Sequence, residues 1–350
     1  MSKYTAAWYE PTYCLIAAGV TLMRIVILFF LLCSCNSVAT TQWQRLADMP
    51  LAVQEIYPAA HNGKIYVAGG LSDSLDMSVQ QMTALVQVYD PATDSWSLAA
   101  ELPAPRHHAY LVSVQQQLFL FGGFVEANGG RWSASADILR LDEAAKRWQK
   151  VGQLPKPLTE TTAVVIANKV HFASGRSPIA LENAQWRDQA DVNWHWIFDP
   201  VTLSVQAAPA LSQAFNSAAA VNLAEQFYVV GGRQVGSSNL ALLQRFDPLS
   251  GKWQTLAPLP QAQGGLAAAV IDQQIWVFGG EYFTDGGGVY SEAWAYQPES
   301  NTWQALPAMP IPRHGLGAVT LDNAIYVIGG ATTVGLKDTS AVLERVRVVE

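Results

Sequence analysis

Lys64-Ile65-Tyr66-Val67-Ala68-Gly69-Gly70 is a short apolar run closed by two glycines, and it is one of six such runs in a chain of 350 residues, five closed by Gly-Gly and one by Ser-Gly. The others close at Gly122-Gly123, Ser174-Gly175, Gly231-Gly232, Gly279-Gly280 and Gly329-Gly330. Between the first residues of successive pairs the steps are 53, 52, 57, 48 and 50 residues. A near-constant spacing of about 50 residues marks stacked copies of one supersecondary unit. The runs themselves, Lys64–Ala68, Leu118–Phe121, Val170–Ala173, Gln226–Val230, Gln274–Phe278 and Ala324–Ile328, have the length of strands and are too short for helices.

Each copy repeats more than its glycines. After a variable loop come a third strand, a turn such as Tyr89-Asp90-Pro91 or Phe246-Asp247-Pro248, and a tryptophan: Trp96, Trp148, Trp253 or Trp303. The third copy departs from this, with Phe198-Asp199-Pro200 leading to Val205. Leu102-Pro103, Leu154-Pro155, Leu259-Pro260 and Met309-Pro310 then break the chain before the next strand. Proline lacks an N–H and Asp-Pro favours turns, so these positions punctuate strands.

The last copy ends in Ala341–Val349 with no tryptophan behind it, whereas Trp43, followed by Met49-Pro50, stands ahead of the first copy. The Trp43 segment can therefore serve as the outer strand of the sixth unit, which pairs sheet edges that would otherwise lie open. With these repeats in register, the chain resembles the kelch-repeat family over roughly residues 41–350. The resemblance implies an all-β, six-bladed β-propeller, its ring closed by an N-terminal strand in the last blade. The glycine pairs would then allow close backbone approach near the axis.

Residues 1–35 are expected to direct export. Met23-Arg24 precede the apolar run Ile25–Leu32, and Cys33-Ser34-Cys35 follow. A charged start, an apolar centre and a small residue at the end form a secretory layout. It resembles a bacterial lipoprotein signal, with Cys35 as the lipidated residue and Met23 as the start of translation. Asn36–Gln42 reads as a polar tether, with the propeller over residues 43–350. Cleaved soluble export is one alternative. A membrane anchor over Leu15–Leu32 is another, in which Arg24 would sit mid-span at a cost. All three put the propeller outside the cytoplasm, and lipidation puts it on the periplasmic side of the outer membrane.

Half of the residues are hydrophobic, 14% are charged and the formal charge is −7. No basic run appears, which argues against nucleic acid as a partner. Cys14, Cys33 and Cys35 all precede the propeller, so the ring can hold no disulfide, thiolate metal site or catalytic cysteine. The architecture is shared with galactose oxidase, whose copper site depends on a Tyr–Cys crosslink; that cofactor cannot form here. The six histidines show no zinc spacing, and no nucleophile elbow or phosphate loop occurs. No metal or other cofactor is expected.

What remains is the mouth of the ring. Counted back from each glycine slot, position sixteen holds Val53, Arg106, Leu158, Phe215, Gln263 and Arg313. Position fifteen holds Gln54, His107, Thr159, Asn216, Gly264 and His314, and position fourteen holds Glu55, His108, Glu160, Ser217, Gly265 and Gly315. One residue per blade should approach the axis. The arc Arg313, Glu55, Arg106, Glu160 alternates in charge and suits a polar ligand, since Arg grips carboxylates and Glu accepts hydroxyl hydrogens. In kelch modules the Arg of a Pro-Arg pair can line the pocket or tie blades together, and both readings stay open for Arg106 and Arg313.

The loops after the glycine slots give a second candidate surface. Arg176, Arg233 and Glu281 directly follow a slot, and His107 and His314 lie beside the arc. The third loop, Arg176–Trp196, is the longest and carries Trp186 and Trp194; the fifth carries Tyr282, Phe283 and Tyr290. Aromatics beside charges suit sugar stacking or a protein contact. Two functions are expected. One is an exported, membrane-tethered binding module for a glycan or a protein. The alternative is a sugar mutarotase or epimerase acting on an acidic sugar such as N-acetylneuraminate, by similarity to exported sialic acid mutarotases, with Glu55, Arg106, His107 and Glu160 as acid–base candidates.

Overall fold

A computed structural model describes residues 40–349; the export segment, Cys35 and the first part of the tether lie outside the described residues. Each repeat folds as a four-stranded antiparallel sheet, and there are six. Blade one comprises Ala59–His61, Lys64–Ala68, Val86–Asp90 and Ser95–Leu98, from the axis outward. Blades two to five repeat that order from Tyr110, Thr162, Ala219 and Ala267. The innermost strands stand side by side in a closed circle, blade six against blade one. Among the described residues there is no α-helix, only two short 3-10 turns.

Blade six is assembled from both ends of the chain. Gly317–Leu321, Ala324–Ile328 and Leu343–Val349 are completed by Thr40–Arg45 as the outermost strand, with Trp43 opposite Val346. The ladder already includes Thr40, Thr41 and Gln42, facing Val349, Val348 and Arg347. Three residues expected in the tether, Thr40, Thr41 and Gln42, thus belong to the sheet. β-branched threonines suit that position.

The core is divided into six apolar wedges, one between each pair of neighbouring blades. This explains why the second strands read as unbroken apolar runs. In Gln117–Phe121, Leu118 and Leu120 pack toward blade one while Phe119 and Phe121 pack toward blade three. A strand covered on both faces has no polar side to alternate. Trp96, Trp148, Trp253 and Trp303 strap the rim, each donating its indole N–H to a carbonyl of the preceding link, such as Ala47 O at 2.8 Å for Trp96. Val205 takes the tryptophan's place opposite Phe198 in blade three.

The glycine slot is a blade-to-blade joint. In all six blades the second residue donates its N–H to the carbonyl sixteen before the next slot: Gly70 to Arg106, Gly123 to Leu158, Gly175 to Phe215, Gly232 to Gln263, Gly280 to Arg313 and Gly330 to Val53, at 2.8–3.0 Å. The first residue lies so close to that carbonyl that a side chain has little room. At Gly122, φ is +59° and a Cβ would stand 2.1 Å from Leu158 O. Only Ser174 fills this slot with a side chain, at φ +61°.

Candidate ligand-binding site

The residues fourteen before each slot form the hub. Glu55, His108, Glu160, Ser217, Gly265 and Gly315 all have φ between +50° and +71°. Around the axis, five of the six hub residues donate their N–H to the carbonyl of the hub residue in the blade before: Glu55 to Gly315, His108 to Glu55, Ser217 to Glu160, Gly265 to Ser217 and Gly315 to Gly265, at 2.7–3.2 Å. The residues one step earlier each bridge to the first residue after their own slot, for example Asn216 to Arg233. Backbone alone thus fixes where both rings of side chains begin.

Above the hub opens a cavity of about 620 Å³. Its floor holds Glu55, His108, Glu160, Arg233 and Glu281, and its walls are Trp132, Trp186, Tyr282, Phe283 and Tyr290. The walls are built by loops that brace one another. Asn183 exchanges two hydrogen bonds with the backbone of Ala134, and Ala184 O accepts from Arg131 and Trp132, so the third loop is pinned to the second. Asp188 accepts from the N–H groups of Ala184 and Gln185, shaping the 3-10 turn that presents Trp186. Leu336 reaches from the sixth loop into a cluster with Leu71, Phe124 and Trp132.

Trp186 is held on two sides. Its indole N–H donates to Glu160 Oε1 at 2.8 Å, and the Arg176 guanidinium stacks 3.6 Å from its ring. It remains 39% exposed. Two further arginines stack on rim aromatics: Arg131 lies 4.1 Å from Trp132, and Arg233 lies 5.6 Å from Phe283.

The floor is a set of ion pairs. Glu55 Oε2 meets His108 Nε2 at 2.8 Å, Glu281 Oε1 meets Arg233 Nη1 at 2.7 Å, and Glu160 Oε1 lies 3.5 Å from Arg176 Nη1. Ser217 Oγ donates to Glu160 Oε2 at 2.9 Å and receives Arg233 Nη2 at 3.3 Å. Burial alone would push the Glu55 carboxyl up, but the charge and hydrogen bond of His108 outweigh it and hold Glu55 well below its ordinary range. Burial opposes the charged form of His108 too, yet Glu55 and Glu160 raise it. Glu160 is lowered by His108, Arg176 and Arg233 against its burial. Arg233 is raised by Glu281, Glu160 and Glu55 against its own burial.

Of the residues expected at the mouth, Glu55, Glu160, Trp186, Arg233, Glu281 and Tyr282 line the cavity. Arg106 and Arg313 do not. Arg106 turns back to Gly122 O at 3.1 Å and toward Asp137, while Arg313 bonds Val342 O and Glu344 Oε2 inside blade six. These two arginines take a structural role away from the pocket, because each guanidinium finds its partners within the blade its segment enters. His107 is buried behind the wall, its ring 5.0 Å from Phe124 and 4.4 Å from Trp132. His314 is buried against Thr333 O and Glu281. Arg176 lies beneath Trp186 and is fully buried. Trp194 stacks on Trp196 at 4.8 Å and joins the wedge between blades two and three.

His108, Trp132 and Asn216 also line the cavity. The fourteen-back column contains a signal for His108: two of its six members are glycines, which mark a left-handed backbone and set that column apart. Trp132 follows Gly129-Gly130 in the second loop, and nothing in the sequence separates it from a rim tryptophan.

Residues 65–340 match the family model described as Attractin/LZTR1 beta-propeller. The chain is 27% identical over 269 residues to Kelch-like protein terF of Aspergillus terreus, covering 73% of this chain and 58% of that protein. It is 27% identical over 238 residues to beta-scruin of Limulus polyphemus, covering 67% of this chain and 25% of that one. The chain thus spans less than two thirds of the length of these relatives. Among solved structures it is similar to YjhT, with a TM-score of 0.72 at 17% identity, covering 87% of this chain and 99% of that one. At that identity the likeness is one of fold.

Proposed function

The chain belongs to the attractin/LZTR1 family of kelch-type β-propellers, and from that premise we propose that its mouth is a binding site for a carbohydrate. The observation that carries this reading is Trp186, locked by Glu160 and Arg176 yet open to the cavity, above a floor of carboxylates, amides and one arginine. A sugar ring offers an apolar face to stack and hydroxyls that both donate and accept. A rigid indole beside paired acceptors and donors complements both features. The cavity of about 620 Å³ has the size of a small-molecule site, in which one or two sugar rings fit. A protein partner would instead use the wider loop face.

A glycan array followed by calorimetry on the propeller tests the reading. Trp186→Ala should weaken a captured glycan at least about tenfold, ~1.4 kcal/mol. No glycan bound, or unchanged affinity in that variant, removes the proposal. The propeller is proposed to work outside the cytoplasm, tethered through lipid on Cys35, in keeping with the export layout of residues 23–35.

Sugar mutarotation is a second reading, supported by the Glu55–His108 pair on the floor. Ring opening needs a base for the anomeric hydroxyl and an acid for the ring oxygen. A buried carboxylate 2.8 Å from an imidazole supplies both kinds of group at one place. Exchange spectroscopy of anomer interconversion decides it: acceleration by the protein that is lost in Glu55→Gln supports catalysis, and no acceleration leaves binding alone.

A further inference from the structure

The charges on the floor bear on which sugars fit, a question that rests on the carbohydrate reading. Every carboxylate there already faces a cation: Glu55 with His108, Glu281 with Arg233, and Glu160 with Arg176, which also lies 3.7 Å from Asp191. A fourth carboxylate, Asp191, stands close behind, accepting from Asn216 Nδ2 at 2.7 Å and from the N–H of Val235 at 2.8 Å. The arginine that lines the cavity is Arg233, 18% exposed and in contact with Glu281 Oε1 at 2.7 Å. Arg176 is sealed beneath Trp186. A carboxylate arriving on a ligand would find no unpaired cation on this floor among the described residues. It would have to share Arg233 with Glu281 while facing Glu55 and Glu160 as well.

A hydroxyl meets no such penalty. Glu160 accepts one hydrogen bond at each oxygen, from Trp186 and from Ser217, and each carboxylate oxygen has a further lone pair. Arg233 retains N–H groups beyond those given to Glu281 and Ser217. Donors and acceptors stand side by side on the floor with each cation already paired, which is the arrangement a neutral polyol satisfies. An anionic ligand would add one more negative charge beside carboxylates that are already buried.

We propose that the site selects uncharged sugars over acidic ones, with the Arg233–Glu281 pair acting as the filter. The test uses matched pairs that differ only at one carbon: glucose with glucuronate, and galactose with galacturonate, together with N-acetylneuraminate. Calorimetry should give neutral members affinities about tenfold or more above their acidic partners, because like charge opposes the latter. Glu281→Gln frees Arg233 and should narrow or invert that ratio. Should that variant unfold, Glu160→Gln serves the same purpose, since it also removes a charge that faces Arg233. Equal or tighter binding of the acidic members, or a ratio unmoved in a folded variant, overturns the proposal and leaves sugar binding standing. Failure of both classes to bind the wild type removes the carbohydrate reading itself.

Discussion

His108 Nε2 lies 2.8 Å from Glu55 Oε2, and the His108 N–H also reaches Glu55 O at 3.0 Å, so blades one and two are joined twice at the hub. The side-chain link carries a pH signature. Glu55 is lowered from 4.5, so its contribution is in place above that pH and is lost as pH falls toward the lowered value. His108 is raised from 6.5, so its contribution is complete below 6.5 and is lost as pH rises through the raised value. The pair therefore stabilises most between pH 4.5 and 6.5. Thermal melts should show wild-type stability declining above that window. His108→Gln should cost about 3 kcal/mol inside it, where a buried charge loses its partner, and less at pH 9. A pH slope identical in both proteins would dissociate the response from this pair.

Ser174 is a misfit in a slot that is glycine in the other five blades. Its φ of +61° is unfavourable for a residue with a Cβ, and its buried hydroxyl oxygen has no partner. Removing the side chain relieves about 1–2 kcal/mol of backbone strain. The greater freedom of glycine in the unfolded chain takes back about 0.5–1 kcal/mol. Ser174→Gly should therefore stabilise by about 1 kcal/mol, seen as a small rise in melting temperature or denaturant midpoint. The reverse experiment, Gly122→Ala, should destabilise, because its Cβ would meet Leu158 O at 2.1 Å. A stability loss in Ser174→Gly contradicts this account.

The repeat period makes blade number and ring closure legible in the sequence alone, because glycine, proline and tryptophan act through local backbone and rim geometry. Strand runs such as Gln226–Val230 and Ala324–Ile328 match to the residue. Side-chain direction is less legible. Arg106, His107 and His108 are consecutive, and the sequence offers all three to the axis. The structure sends Arg106 into the blade, packs His107 behind Trp132 and turns only His108 inward, through its φ of +51°. Loop contacts are the least legible. Trp186 meets Arg176 and Glu160 only because the third loop folds back on the second, and no spacing rule encodes that.

Arg313 provides a control for the mouth. Its guanidinium is fully buried and meets Glu344 Oε2 at 2.8 Å within blade six. Arg313→Ala leaves Glu344 without its partner and should cost about 3–5 kcal/mol. The double change Arg313→Met with Glu344→Leu should recover most of that. Ligand affinity, measured where the variants are folded, should stay at the wild-type value in both. A folded Arg313 variant with lost binding would return this residue to the site.

Export can be measured separately. Lipid on Cys35 should carry the protein into the membrane fraction in a bacterial host with lipoprotein processing, and Cys35→Ser should release it. Soluble wild-type protein points to cleaved export. Membrane retention of the Cys35→Ser variant points to the anchor over Leu15–Leu32.

Trp43 tests closure directly. Its ring packs edge-on against Phe278 of blade five at 5.6 Å, and its strand covers Leu343–Val349 along six residue pairs. Without Thr40–Arg45, the edge of blade six would present unpaired N–H and C=O groups beside an exposed apolar wedge. Because a half-buried tryptophan loses less than a buried one, Trp43→Ala should cost about 2 kcal/mol. Deleting residues 40–45 should do more, converting one sharp unfolding transition into a broad one and promoting self-association through the free edge. Adding back a peptide of residues 38–47 should restore the transition by mass action, with midpoint rising as peptide concentration rises. A deletion variant that stays monomeric and melts like the wild type would mean that the ring does not depend on its N-terminal strand.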